Sequence, residues 1–305
     1  MGDQVLGAAS VGPGGEAILL LVDRADLAAL TPRTPDGSFA LTRAPHPYGA
    51  TILVTDGSAV LQRTDCELQT AYPGVQPLPG GELLVAGGRC SRFEDGTYER
   101  NALILGPGGE PRRDFLLGDG IQSMQTAVDG SIWVSYFDEG VYGNFGWGAG
   151  GETPAPVGAA GLVRFDADGT RMWEFATPAG VGPIDDCYAL NVAADAAWAY
   201  YYSDFPLARV GAGDEVRAWS TPVAGACAVA VGGDHALLLG GYSAAGERCV
   251  VCAFDGAQLR PVDEFRLKLP RRSRTIVGRG PLLHVFDDRA WYALDVRDVV
   301  GGWDR

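Results

Sequence analysis

A short unit recurs along the sequence: an apolar run, a Gly/Asp turn, then a second apolar or aromatic run. It occupies residues 10–22 around Gly12-Pro13-Gly14-Gly15, 77–85 around Gly80-Gly81, 126–134 around Asp129-Gly130, and 191–200 around Asp195. Weaker copies stand at 230–239 around Gly232-Gly233-Asp234 and at 276–285 around Arg279-Gly280-Pro281. Short apolar runs bounded by turn residues and enriched in β-branched and aromatic side chains read as strands. Six strand–turn–strand units spaced about 40 to 65 residues apart indicate a radial β-repeat. The expected fold is therefore all-β, a six-bladed β-propeller with four-stranded antiparallel blades. The blades fall at approximately 3–70, 71–118, 119–178, 183–221, 222–269 and 270–305, in a single domain over residues 1–305. The sixth is expected to close with help from N-terminal residues. No strongly periodic helix is visible, although Arg24–Leu30 can form one or two turns.

Composition narrows the partners. The formal net charge is −14, and Lys268 is the only lysine. Such a surface repels a phosphate backbone, so nucleic acid is not an expected partner; the basic run Arg271-Arg272-Ser273-Arg274 reads as a solvated loop. No apolar stretch approaches a membrane span, and residues 1–16 lack a secretory pattern. Cys187, Cys227, Cys249 and Cys252 sit in apolar strand patterns, the behaviour of buried reduced thiols in a cytoplasmic, bacterial protein. Cys249 and Cys252 are three apart on a strand, so they point to opposite faces and suit a shared metal poorly.

Aligning the units on their first turn residue exposes two columns. Four residues before it stand Ser10, Gln76, Gln125, Asn191, Ala230 and Thr275, five of them polar within apolar strands. These predict a polar wall on the central channel, its amides and hydroxyls bonded between blades or to water. Nine residues after it stand Asp23, Arg89, Asp138, Asp204, Ser243 and Asp288, where the second strands exit. With Asp186, just before an inner strand, they predict an acidic ring at one channel mouth. Aspartate is also a common loop cap at such exits.

The long loops fall at the same end, at about 24–49, 88–99 and 138–160. The last carries Asp138, Glu139, Tyr142, Phe145 and Trp147 spaced by glycines, opposite Tyr202. Aromatics in a Gly-rich acidic loop suit a lid, a partner surface or a small core of the loop's own. Arg89 and Arg92 are the nearest cationic groups. No nucleophile elbow, phosphate loop or HExxH zinc motif occurs. Of the three histidines, His284 is the acid/base candidate, against the reading of a core histidine.

Val128-Asp129-Gly130-Ser131-Ile132-Trp133-Val134 and Ala193-Ala194-Asp195-Ala196-Ala197-Trp198-Ala199-Tyr200 resemble the strand-turn-strand signature of the six-bladed calcium-dependent phosphotriesterase superfamily. That group holds the gluconolactonase/SMP-30-type lactonases, paraoxonases and strictosidine synthase-like proteins; NHL repeats carry similar units. The resemblance implies a metal-binding aspartate at Asp204. The asparagine those lactonases use on the same inner strand falls near Tyr188, which cannot replace it. If a metal binds, Asp138, Asp186, Asp204 and Asp288 are oxygen ligands that favour calcium.

Two readings follow. In one, no cofactor is required, and the loop-rich face holds a small molecule or a partner's segment through Tyr142, Phe145, Trp147, Tyr202, Arg89 and Glu139. In the other, calcium on the acidic ring polarises a lactone or ester carbonyl, with His284 or a carboxylate as base.

Overall fold

The computed structural model describes residues 3–148, 153–242, 248–268, 275–287 and 289–300. Six antiparallel sheets stand in a ring around a central axis, so the protein is a six-bladed β-propeller. The sheets span 4–70, 73–115, 121–174, 186–219, 226–266 and 275–295, and each is a meander whose strands pair in chain order. The first five have four strands; the sixth, among the described residues, has three.

Among the described residues no N-terminal strand enters that last sheet. Gln4–Val11 is instead the inner strand of the first blade. The ring closes by packing: Phe286 of the sixth blade buries against Val11 and Ala17 of the first, with Val277 and Trp291 beside them. Apolar burial between whole sheet faces supplies the closure, at about 25 cal/mol per Å². The helix Val296–Val300 then tucks Val296 and Val299 under Leu237 and Leu239 of the fifth blade. Arg24–Leu30 forms a 3-10 helix, and a further short helix, Asp138–Tyr142, lies in the long loop where none was expected.

The polar column of the inner strands holds the ring together. Gln76 Nε2 donates to the Val11 carbonyl of the first blade (3.3 Å), and its Oε1 accepts from the Thr126 N–H of the third (3.0 Å). Gln125 Nε2 donates to the carbonyls of Leu190 (3.1 Å) in the fourth blade and Gly278 (3.0 Å) in the sixth. Its Oε1 accepts from Val192 N–H (2.8 Å) and from Arg279 Nη1 (3.0 Å). Asn191 Nδ2 donates to Val229 (2.9 Å) and Gly280 (2.8 Å), while Oδ1 accepts from the Gly280 N–H (2.7 Å). Every one of these amides is buried. Burial pushes Arg279 down to about 10, which still leaves it charged at neutral pH.

The third and sixth blades face each other across a six-bladed ring, so the Gln125–Gly278 bond closes the channel at this level. Gly278 is required there: a Cβ on it would lie 1.8 Å from the Val229 carbonyl oxygen. The register also corrects the sixth repeat. Thr275 pairs with Phe286 at the mouth end of its sheet, whereas Gln125 pairs with Trp133 beside the turn at the other end. The residue level with Gln125 is Gly278, which pairs with Leu283.

Removing a buried amide strands its partners without water, at about 1–3 kcal/mol for a buried group. Gln125→Ala should therefore lower the unfolding free energy by about 3 kcal/mol in a urea titration. Gln122→Ala, three residues toward the mouth and with no such bonds, should change it by less than about 0.5 kcal/mol.

Candidate functional site

Above the closed level the channel widens toward the ends of the inner strands where they enter their sheets. Four inner strands carry an extra residue near that end, a β-bulge: Gly7, Gln122, Tyr188 and Cys227 each stand between two residues whose partners on the second strand are adjacent. A bulge re-aims a side chain that strict alternation would send to a sheet face. Here it sends Gln122, Tyr188 and Cys227 to the wall of one cavity of about 440 Å³, together with Phe137, Asp138 and Asp186. Cys227, read from sequence as a buried strand thiol, is exposed at this wall. Cys249 and Cys252 are buried in separate cores.

Asp138 and Asp186 meet at this cavity from different elements. Asp186 begins the fourth inner strand, and Asp138 begins the short helix Asp138–Tyr142. That helix is held by close backbone approach. Gly120 has φ +70°, and a Cβ on it would lie 2.3 Å from Gly140 N; one on Gly140 would lie 2.6 Å from the Asp119 carbonyl oxygen. Burial first, and the Asp138 charge second, push the Asp186 carboxyl up to about 6. Among the described residues no cationic side chain lines the cavity. Asp185, next to Asp186, accepts a hydrogen bond from the Tyr142 hydroxyl.

Arg89 is engaged within the loop by two acids. Its guanidinium makes a two-point ion pair with Asp119 (3.0 and 3.1 Å), whose side chain is 1% exposed. It also pairs with Glu139, and lies over the rings of Phe137 (5.2 Å) and Phe145 (4.6 Å). Glu139 accepts a further bond from Asn144 Nδ2 (2.7 Å). Burial works against its charge, but Asn144 and Arg89 outweigh it and hold its carboxyl below the ordinary range. Trp147 is 5% exposed, donates Nε1–H to the Cys90 carbonyl (2.9 Å) and packs on Tyr98. These residues form the loop's own core and fix Asp138 in place.

The remaining sequence candidates disperse. Tyr142 (63% exposed) and Tyr202 (45% exposed) stand on the rim and do not line the cavity; Tyr202 packs edge-on against Phe205. Phe205 in turn packs on Tyr188 and Tyr242, whose hydroxyls share a hydrogen bond. Asp204, exposed in a turn at φ +50°, lies beside Gly182 rather than at the cavity. Asp288 lies outside the described residues, as do Ser243 and Arg271–Arg274. His284 is 1% exposed, on the second strand of the sixth blade, where Nδ1 accepts from Trp291 Nε1 (3.0 Å) and the rings stack. It borders none of the channel cavities.

Of the four aspartates named as calcium ligands, the described residues bring two to the cavity. Calcium takes six to eight oxygen ligands. Asp138 and Asp186 supply two carboxylates, Asp204 is elsewhere, and Asp288 lies outside the described residues. Among the described residues no group of three acidic, His or Cys side chains is placed to hold a metal ion. Sequence reasoning missed Gln122, Phe137, Tyr188 and Cys227 as a group. The available signal was a polar or bulky residue interrupting the start of an apolar inner strand, as in Ile121-Gln122-Ser123-Met124.

Fold and site together define a six-bladed β-propeller with an acidic cavity at one end of a channel closed at the other. Residues 158–266, less than half of the chain, match the YxzG family. No curated protein matches the sequence. The structure is similar to U3-55K, with a TM-score of 0.50 and 8% identity over 93% of this chain and 75% of that one. It is also similar to a catalytically inactive virginiamycin B lyase from Staphylococcus aureus with quinupristin (0.45, 12%, 95% and 94%). BamB from Moraxella catarrhalis gives the same score and identity over 95% and 73%. At these identities the likeness is one of fold.

Two outcomes follow from the buried groups. Arg89→Ala leaves the Asp119 carboxylate buried and unpaired, so it should cost about 3–5 kcal/mol in chemical denaturation, and adding Asp119→Asn should recover part of that. Burial first, and then Arg279, press the His284 imidazole down from 6.5 to about 4. A depressed folded value means that stability, complete above pH 6.5, is lost as pH falls toward 4, by about 3 kcal/mol. His284→Gln, which keeps an acceptor for Trp291, should show a shallower loss over that window in denaturation curves compared at each pH.

Proposed function

We propose that this protein binds a small cationic molecule at the channel mouth, with Asp138 and Asp186 as the charged contacts and Tyr188 and Phe137 as aromatic walls. The observation that carries the reading is the carboxylate pair itself. Two acids from separate elements face one cavity, and among the described residues no cationic one lines it. Burial first, and then the like charge of Asp138, disfavour ionisation and raise the Asp186 carboxyl to about 6. A protonated amine relieves that repulsion, and the faces of aromatic rings add to the attraction.

The size of the cavity, about 440 Å³, suits a small molecule. The rim aromatics Tyr142, Tyr202 and Tyr242 would meet whatever part of the ligand extends outward. Arg89, Glu139, Phe145 and Trp147 serve binding indirectly, by holding the helix that carries Asp138.

The test uses propylamine, which stays protonated throughout the window, with calorimetric titration between pH 5 and 7. Binding needs ionised Asp186, so affinity should rise about tenfold across that range and level off above it. Asp186→Asn should abolish the pH dependence and most of the binding. An acid whose pKa is raised on folding destabilises the fold as pH climbs above its unfolded value. The same variant should therefore raise Tm at pH 7.5 in the absence of ligand. An affinity that is flat with pH, or unaffected by Asp186→Asn, overturns the reading.

A further inference from the structure

The inner strands carry two tiers of polar residues. In the tier far from the mouth, Gln76, Gln125 and Asn191 spend their amides on the backbone of neighbouring blades. Nearer the mouth, Gln122, Ser123 and Thr275 line the channel, and none of their side chains bonds to the described protein. Below the acidic cavity lie two smaller spaces, of about 230 and 90 Å³, and Gln122 borders all three. Among the described residues no charged one lines either of the lower two. Their walls alternate hydroxyls and amides with the apolar faces of Val75, Met124, Ile276 and Val277. Gln125 forms part of both, so the hydrogen bonds that close the ring also form their floor.

We propose that these spaces are the inner chamber of the same site, and that the ligand is an aminated polyol of the amino-sugar class. This rests on the cation reading of the mouth. The ammonium sits against Asp138 and Asp186, and the neutral hydroxyl-bearing body enters the channel. Ser123 and Thr275 each offer one donor and two acceptor positions, and Gln122 offers an amide. Such neutral partners suit hydroxyl groups. A second charge placed there would find no counter-ion among the described residues and would be desolvated at a cost. Apolar strips between the hydroxyls suit the C–H faces of a sugar ring. The larger space holds several waters at about 30 Å³ each, which is room for a group of that size. With the floor closed by Gln125, entry and exit are by the mouth alone, so the amine stays at the acidic end.

Calorimetric titration of the full chain with glucosamine, propylamine and glucose at pH 7.0 tests this. Glucosamine should bind at least tenfold more tightly than propylamine. Ser123→Val and, independently, Thr275→Val should remove that advantage while leaving propylamine binding within twofold. Two variants guard against one that misfolds, and circular dichroism with an unchanged Tm qualifies each. Equal affinity for the two amines, both lost in Asp186→Asn, overturns the inner chamber and leaves the mouth reading standing. Binding of glucose and glucosamine alike, insensitive to Asp186→Asn but lost in Ser123→Val, supports the chamber and overturns the cation reading. Absence of binding by all three at millimolar concentration overturns both.

Discussion

The amide lattice at the closed end of the channel is the constraint on which the rest of the molecule depends. Each propeller blade is a sheet that buries two faces, and face-to-face packing alone lets neighbouring sheets slide. Gln76, Gln125 and Asn191 prevent sliding, because each bonds to backbone groups at fixed positions on two other blades. The bonds are buried, so a displaced blade would leave several polar groups without water or partner. Gln125 and Asn191 reach the sixth blade, at Gly278 and Gly280. That matters because the sixth shares no strand with the first and relies on Phe286 and Trp291 for its lateral seam. The lattice thereby serves closure as well as register.

The same lattice separates structural polarity from polarity left over for chemistry. At the closed end the amides are consumed. Toward the mouth, the bulges at Gln122, Tyr188 and Cys227 turn three side chains into the channel wall. A bulge costs local ladder bonds, and a second strand that is buried on both sides keeps it in place. The mouth is completed by a loop folded on its own small core: Arg89 between Asp119 and Glu139, Phe145 beneath it, and Trp147 pinned to Cys90. This core positions the helix that presents Asp138, and it accounts for the aromatics that the sequence shows spaced by glycines.

The legible and illegible parts of the chain divide along physical lines. Blade count and strand order could be read from the sequence because alternation and turn chemistry are local and repeat six times. One register was misread: the sixth unit turns in two residues, Gly280-Pro281, and Arg279 is the last paired residue of its strand, so aligning on it shifted Thr275 three residues from its level. The polar column was visible as residue types, but not which backbone each amide would reach. The ring of acids was visible as a column, yet Asp138 and Asp186 border the cavity while Asp204 turns beside Gly182. Arg89 and Trp147 read as ligand contacts because charge and aromaticity look the same whether spent inside a loop or offered outward.

What the sequence by itself determined is the repeat: six strand–turn–strand units, a polar residue at one level of most inner strands, and an acidic end crowded with loops. These follow from period, turn propensity and composition, properties that neighbouring residues settle among themselves. What only the tertiary structure decided is which polar groups are spent and which remain. That depends on bulges of one residue, on the approach of opposite blades across the axis, and on a buried arginine bridging two acids. The last two are contacts between segments 30 to 153 residues apart, such as Arg89 with Asp119 or Gln125 with Gly278, and no local pattern encodes the geometry of such a meeting.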